Sequence, residues 1–201
     1  MSLPTNVVID GVIYGVRATV EEIHVNEGVV DIGNGTFGEC PRLHTVVLPQ
    51  SLRKIGNSAF YECRALRSIN IPPSVTTIVD SAFANNPALR SINISSSVTI
   101  GNLVTSIGNN VFQYCSALNS ITFKNQSILI NVQGTNIFSG TGQIRKVLFN
   151  NTVSQSGLSS GAQSLKTQID SNNSTGGVSN VNYLYSPTIT NFSIPQKTVV
   201  D

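Results

Sequence analysis

Charge is scarce in this chain. Charged residues make up 11% of its 201 positions and sum formally to +2. So weak a field excludes the basic footprint of a nucleic-acid binder or of a protein held on an acidic membrane surface. Tryptophan is absent, methionine occurs once and cysteine three times. An odd, small cysteine count argues against a disulfide framework. No apolar run reaches the roughly 18 residues of a membrane-spanning helix. The start, Met1 to Asp10, has no basic cluster leading into an apolar stretch, so no secretory leader is visible. A cytoplasmic or virion-associated location is therefore expected over classical secretion, unless a leader has been trimmed away.

Hydrophobic residues reach 40%, enough for one domain with a sizeable core. They are arranged as a repeat. Ile32-Gly-Asn-Gly-Thr-Phe37-Gly-Glu-Cys40-Pro-Arg-Leu43 returns as Ile55-Gly-Asn-Ser-Ala-Phe60-Tyr-Glu-Cys63-Arg-Ala-Leu66. It returns again in Ile78-Val-Asp-Ser-Ala-Phe83 and in Ile107-Gly-Asn-Asn-Val-Phe112-Gln-Tyr-Cys115-Ser-Ala-Leu118. Phe37, Phe60 and Phe83 lie 23 residues apart, and Phe112 follows after 29. A fixed period of this length is the signature of a solenoid. The six extra residues fall between Ile94 and Val104, so Ser95–Asn102 is expected to leave the body as a loop.

Each unit carries the spacing L-x-x-L-x-L with an apolar residue at each L (Leu43, Val46, Leu48; Leu66, Ile69, Ile71; Leu89, Ile92, Ile94; Leu118, Ile121, Phe123), whose last two positions alternate as in a half-buried strand. Six rungs are expected, centred on Ile23, Val46, Ile69, Ile92, Ile121 and Val147, and their stacking makes a parallel sheet. The phenylalanines, with Phe138 as the fifth, form an internal spine. Asn34, Asn57, Asp80 and Asn109 share one repeat position and are good N-cap types, so a short helical turn is expected after each. Cys40, Cys63 and Cys115 also share a position. A buried thiol ladder is favoured there over a Cys40–Cys63 disulfide, and Asn86 interrupts the row.

The flanks differ. Val7-Val8-Ile9, Asp10-Gly11 and Val12-Ile13-Tyr14 read as a hairpin, because Gly accepts the positive φ that a two-residue turn needs. Residues 1–17 are expected to cap the first coil, with the solenoid over 18–149. Residues 150–201 hold a closing helix, a linker and an extended arm. Leu158, Ala162, Leu165 and Ile169 share one helical face, placing the helix at Ser160–Asp170, with a flexible linker at Ser171–Asn180. Val181–Asp201 is apolar and outside the repeat register. It is expected to dock on a neighbouring molecule by strand addition and to mediate assembly.

Two motifs resemble chemistry. Gly33, Gly35 and Gly38 fit G-x-G-x-x-G, but the repeat explains them as a turn and no acid stands about twenty residues on. Gly157, Ser159 and Gly161 fit G-x-S-x-G, yet His24 and His44 both precede the serine, against the order of an esterase elbow. No acid, base and nucleophile converge, so the chain reads as non-enzymatic, with no cofactor and no metal site. Asn34, Asn93, Asn125, Asn150, Asn172, Asn173 and Asn191 sit in sequons, several of them expected by chance in so Asn-, Ser- and Thr-rich a chain; Asn34 is better explained as a cap, and without a visible leader glycosylation is not implied.

The candidate functional surface is the outward strand row, His24, Val47, Asn70, Asn93, Thr122 and Leu148. Beside it run Thr45, Ser68, Ser91, Ser120 and Lys146, with Arg67 and Arg90 stacked nearby. Solenoids use such ladders as extended binding faces. The arginines would suit an acidic partner unless Glu39 and Glu62 neutralise them.

The run Leu-x-x-Ile-x-Ile-Pro-x-x-Val-x-x-Ile-x-x-x-Ala-Phe-x-x-Cys-x-x-Leu resembles the BspA-type leucine-rich repeat over about Ala18–Phe149. The resemblance implies a leucine-rich-repeat solenoid and a protein-binding rather than catalytic role. Many members of that family are surface proteins of bacteria and parasitic protists that adhere to host proteins. Three roles follow as expectations: a protein-binding or assembly scaffold, an adhesin-like surface module, or a minor component of a virion or surface layer held by its C-terminal arm.

Overall fold

The computed structural model describes residues 7–9, 12–14, 17–94, 106–123, 134–150, 158–175 and 181–186. The chain opens with β1 (Val7–Ile9) and β2 (Val12–Tyr14), an antiparallel hairpin closed at Ile9↔Val12. It forms its own two-stranded sheet and does not join the ladders behind it. A 3-10 turn, Arg17–Thr19, leads into β3 (Glu22–His24).

The coils then run through β4 (Asp31–Ile32), β5 (Thr45–Val47), β6 (Lys54–Ile55), β7 (Ser68–Ile71), β8 (Thr77–Ile78), β9 (Ser91–Ile94), β10 (Ser106–Ile107) and β11 (Ser120–Phe123). The short strands β4, β6, β8 and β10 pair in parallel as a back ladder. The longer strands β7, β9 and β11 pair in parallel as a front ladder. Four turns thus carry a strand on each face. The front ladder continues into β12 (Lys146–Asn150) and β13 (Asn182–Ser186), while β3 and β5 pair in parallel as a separate two-stranded sheet.

Between back and front strands each coil makes the phenylalanine-bearing turn. Here the sequence expectation needs correcting, because these turns are not helical. Each holds two left-handed residues four apart: Gly35 and Glu39, Ser58 and Glu62, Ser81 and Asn85, Asn110 and Tyr114, Asn136 and Gly140. A residue with positive φ stops an α-helix, and alternate amides are turned toward the next coil. Phe37 N donates to Ala59 O (2.9 Å), Phe60 N to Ala82 O (2.8 Å), Phe83 N to Val111 O (3.0 Å) and Phe112 N to Ile137 O (2.9 Å). The turns therefore form a third column of inter-coil hydrogen bonds.

The expected N-caps serve that column too. Asn34 Oδ1 accepts the amide of Asn57 (2.9 Å), Asp80 Oδ1 that of Asn109 (2.8 Å) and Asn109 Oδ1 that of Thr135 (2.9 Å). The same residue types that cap helices here join one coil to the next. The glycines of the G-x-G-x-x-G match have structural work: Gly35 sits at φ +62°, and a Cβ on Gly38 would lie 3.1 Å from Ser58 O.

Inside the column stand Phe37, Phe60, Phe83, Phe112 and Phe138, all at most 1% exposed. Their ring centroids step by 5.3, 5.3, 5.8 and 5.7 Å. The thiol row beside them is buried and free of disulfides, and it also bonds between coils. Cys63 Sγ donates to Phe37 O (3.2 Å) and Cys115 Sγ to Phe83 O (3.1 Å). Asn86 replaces the missing cysteine by donating Nδ2 to Phe60 O (2.9 Å) and Phe83 O (2.7 Å), while its buried Oδ1 has no partner.

Burial pushes the Cys63 and Cys115 thiols up to about 12 from an ordinary 9.0. Above pH 9 the unfolded chain ionises these thiols while the folded chain keeps their protons, so stability falls as pH rises toward 12. The slope approaches about 1.4 kcal/mol per pH unit for each protected thiol. Urea midpoints measured from pH 8 to 11 should decline, and a Cys63→Ala, Cys115→Ala double variant should show a flatter decline. Parallel profiles would remove the thiols as the cause.

The C-terminal segment departs from expectation in two ways. The closing helix α1 runs from Ser160 to Thr175, beyond Asp170 and into the stretch expected as linker. Its buried face is Ala162, Leu165 and Ile169, as the periodicity requires. Ser159 caps it, its Oγ accepting the amide of Ala162 (3.2 Å). Gln168 enters the last turn, where Oε1 accepts the amide of Ile137 (3.1 Å) and Nε2 donates to Gly134 O (2.9 Å). In inner turns the equivalent amide returns to the carbonyl three residues back, as Ala59 N does to Gly56 O (3.3 Å).

The second departure is the arm. Residues 182–186 are in register with the solenoid, pairing Val147↔Tyr183 and Leu148↔Leu184 on their own body. The Tyr183 hydroxyl donates to Asp170 Oδ1 (2.6 Å), and Lys166 Nζ sits 4.4 Å from the Tyr183 ring centroid. Residues 182–186 thus pair through one edge of the strand with their own body, not with a neighbour, and the Tyr183 ring and hydroxyl are engaged internally. The Ser95–Asn102 loop and residues 187–201 lie outside the described residues.

Candidate binding face

The outward positions of the front ladder are set by the pleat, since Ile69, Ile92, Ile121 and Val147 point inward and are at most 3% exposed. Asn70, Asn93, Thr122 and Leu148 therefore project outward in register. Asn70 and Asn93 are exposed, and Thr122 and Leu148 half-buried. Strand β13 adds a member the sequence did not reveal, Leu184, 37% exposed. The parallel row of Ser68, Ser91, Ser120 and Lys146 lies two residues earlier on the same strands.

This row does not run unbroken to His24 and Val47, as expected from the sequence. His24 pairs with Val47 through β3 and β5, but β5 is not laddered to β7. Val46 shows the break, being only partly buried where the other inward residues are sealed. A groove of about 250 Å³ opens there, lined by His44, Thr45, Val46, Ser68, Ile69, Asn70 and Asn93. His44 Nδ1 lies 3.0 Å from Thr45 Oγ1 at its edge. The candidate surface is thus a five-strand polar face, a groove, and a separate pair, His24 and exposed Val47.

The basic residues sort by partner. Arg42 is paired with Glu21, and Arg64 with Glu62 (2.9 Å). The Arg64 bond holds the Glu62 carboxyl below its usual range. Glu62 is therefore engaged away from Arg67. Arg67, Arg90, Arg145 and Lys146 are exposed and make no ion pair among the described residues.

The esterase-like serine is accounted for by the N-cap of α1. Among the described residues no three His, Cys, Asp or Glu side chains gather as metal ligands would. No helix there is long and apolar enough to cross a membrane.

Comparison with known proteins agrees with this fold. The chain is similar to a leucine-rich repeat protein of T. pallidum, with 24% identity and a TM-score of 0.57, over 70% of this chain and 66% of that one. It is also similar to the pneumococcal vaccine antigen PcpA, with 20% identity and a TM-score of 0.49, over 83% of this chain and 36% of that one. It therefore spans just under two thirds of the first protein's length and little over a third of the second's. No curated protein matches by sequence. The family model for the BspA type leucine rich repeat region matches six copies, over residues 13–102 and 96–200. The chain belongs to the BspA-type leucine-rich repeat family.

Proposed function

We propose that the chain is a protein-binding module that presents the front sheet, β7 to β13, to its partner. The observation that carries this reading is the outward row itself. Asn70, Asn93, Thr122, Leu148 and Leu184 are held at one-rung spacing by parallel pairing. A partner laid along it meets amide, hydroxyl and apolar groups whose order is fixed before binding, which lowers the entropy lost on association. The back ladder is a poorer candidate, with only two residues per strand.

Site-directed photo-crosslinking in the native cell tests it. A benzoylphenylalanine at Asn93, on the front, should capture a discrete partner that the same group at Lys54, on the back, does not. Equal capture from both positions, or capture from Lys54 alone, would reject the front sheet as the binding face.

A further inference from the structure

Four residues stand immediately ahead of successive front strands: Arg67, Arg90, Asn119 and Arg145. Their backbones are direct neighbours. Arg90 N donates to Arg67 O (2.8 Å), Asn119 N to Arg90 O (3.1 Å) and Arg145 N to Asn119 O (2.9 Å). At about 4.8 Å per rung the row is roughly 14 Å long. All four residues are exposed. Lys146 adds a fifth polar head at its C-terminal end, in register with Ser120.

The surroundings leave this row positive. Eight of the ten carboxylate side chains lie at or before Asp80, whereas six of the twelve cations lie after it. Asp80 is used by Asn109, which donates both its backbone amide (2.8 Å) and Nδ2 (3.2 Å) to it. Asp170 is held by Lys166 (2.6 Å) and Tyr183. The modest net charge thus hides a segregation: most of the acids precede Asp80, and among the described residues the rim of the front face holds cations with no ion-paired acid.

We propose that this rim is a docking strip for an acidic peptide segment lying along the solenoid axis. The proposal rests on the reading of the front sheet as a protein-binding face and names the partner's chemistry. Arginine guanidinium groups bond carboxylates two bonds at a time. The Ser68, Ser91 and Ser120 row beside them supplies hydroxyl donors on the adjoining strand positions. An extended peptide places like-facing side chains about 7 Å apart, so three carboxylates span the row. A sulfated polysaccharide carries denser charge and favours an unbroken cation run, which Asn119 interrupts.

The test uses the whole chain and a fluorescein-labelled dodecapeptide of alternating Glu and Ser, with its Gln and Ser counterpart as control, at low salt. The Glu peptide should bind saturably and at least tenfold more tightly than the Gln peptide. An Arg67→Gln, Arg90→Gln, Arg145→Gln variant should lose at least tenfold in affinity while keeping its melting temperature. Affinity should also fall steeply with added salt, since exposed pairs are screened within about 10 Å at 0.1 M. No saturable binding of the Glu peptide, an unchanged affinity in the triple variant, or tighter binding of a heparin oligosaccharide would overturn the proposal. Capture through position 93 that survives the triple variant would also overturn it, and would leave the front-sheet reading standing.

Discussion

Phe83→Ala is expected to lower stability by about 3–5 kcal/mol, the loss usual for a buried phenylalanine. Its ring lies between Phe60 and Phe112, at 5.3 and 5.8 Å, and is wholly buried. Truncation removes its buried apolar surface and breaks two ring contacts. The cavity cannot close by local collapse, because the coil's spacing is fixed on both sides by inter-coil amides, Phe60 N to Ala82 O and Phe83 N to Val111 O. In a solenoid stability comes from nearest-neighbour interfaces, and this residue serves two of them. Urea unfolding read by circular dichroism checks it, with Phe83→Leu as a milder companion. A loss below about 1 kcal/mol would mean that the stack contributes little and the strand ladders hold the fold alone.

Gly56→Ala should be the other costly change, although it adds only a methyl group. A Cβ at Gly56 would lie 2.7 Å from Ile32 O, 2.8 Å from Gly33 C and 2.9 Å from Asn34 N. All three are backbone atoms of the preceding coil, so no side chain can swing aside. One coil must shift, and with it the amide that Gly56 donates to Ile32 O (2.9 Å). Overpacking of this kind costs about 1–3 kcal/mol. Val79 holds the same repeat position half-buried, so the limit is set by the local approach of two coils and not by the repeat as such. A thermal melt of Gly56→Ala against Gly33→Ala separates the two cases, since Gly33 faces only the Thr36 hydroxyl at 3.2 Å. Equal melting temperatures would place the cause outside the coil contact.

The ladders and the spine were legible in the sequence because burial repeats with the coil. Ile55, Phe60, Leu66 and Ile69 recur at fixed offsets, and each offset has one physical meaning. The turn departs from its sequence pattern for a definite reason. Asn, Asp and Ser accept a helix's first amides, yet they also tolerate left-handed backbone, and only the structure shows Ser58 and Glu62 in that region. The rung of the arm is not legible in the sequence, because Tyr183 and Leu184 reach the ladder only after α1 and the residues beyond it, so no constant spacing announces it. The break between β5 and β7 carries no sequence signal, since Val46 matches the pattern of its neighbours. The basic rim was half visible. Arg67 and Arg90 share a repeat position, but Arg145 follows Arg90 by 55 residues, across the irregular coils.

Arg17 carries a consequence for how such a chain can lengthen over generations. Its guanidinium donates to Gly35 O (2.9 Å) and Gly38 O (2.5 Å). Gly38 O is the first carbonyl of a column in which Tyr61 O, Ala84 O and Gln113 O each receive the amide of the coil before. At the far end Gln168 occupies the last of the described turns. A coil duplicated outside either residue would have to evict a side chain already seated, and would leave polar groups exposed until it had recruited a new terminus of its own. A coil duplicated between them finds matching carbonyls, amides and a ring on both sides. Inheritance should therefore vary the number of coils from the middle outward, with the two ends passed on as a fixed pair.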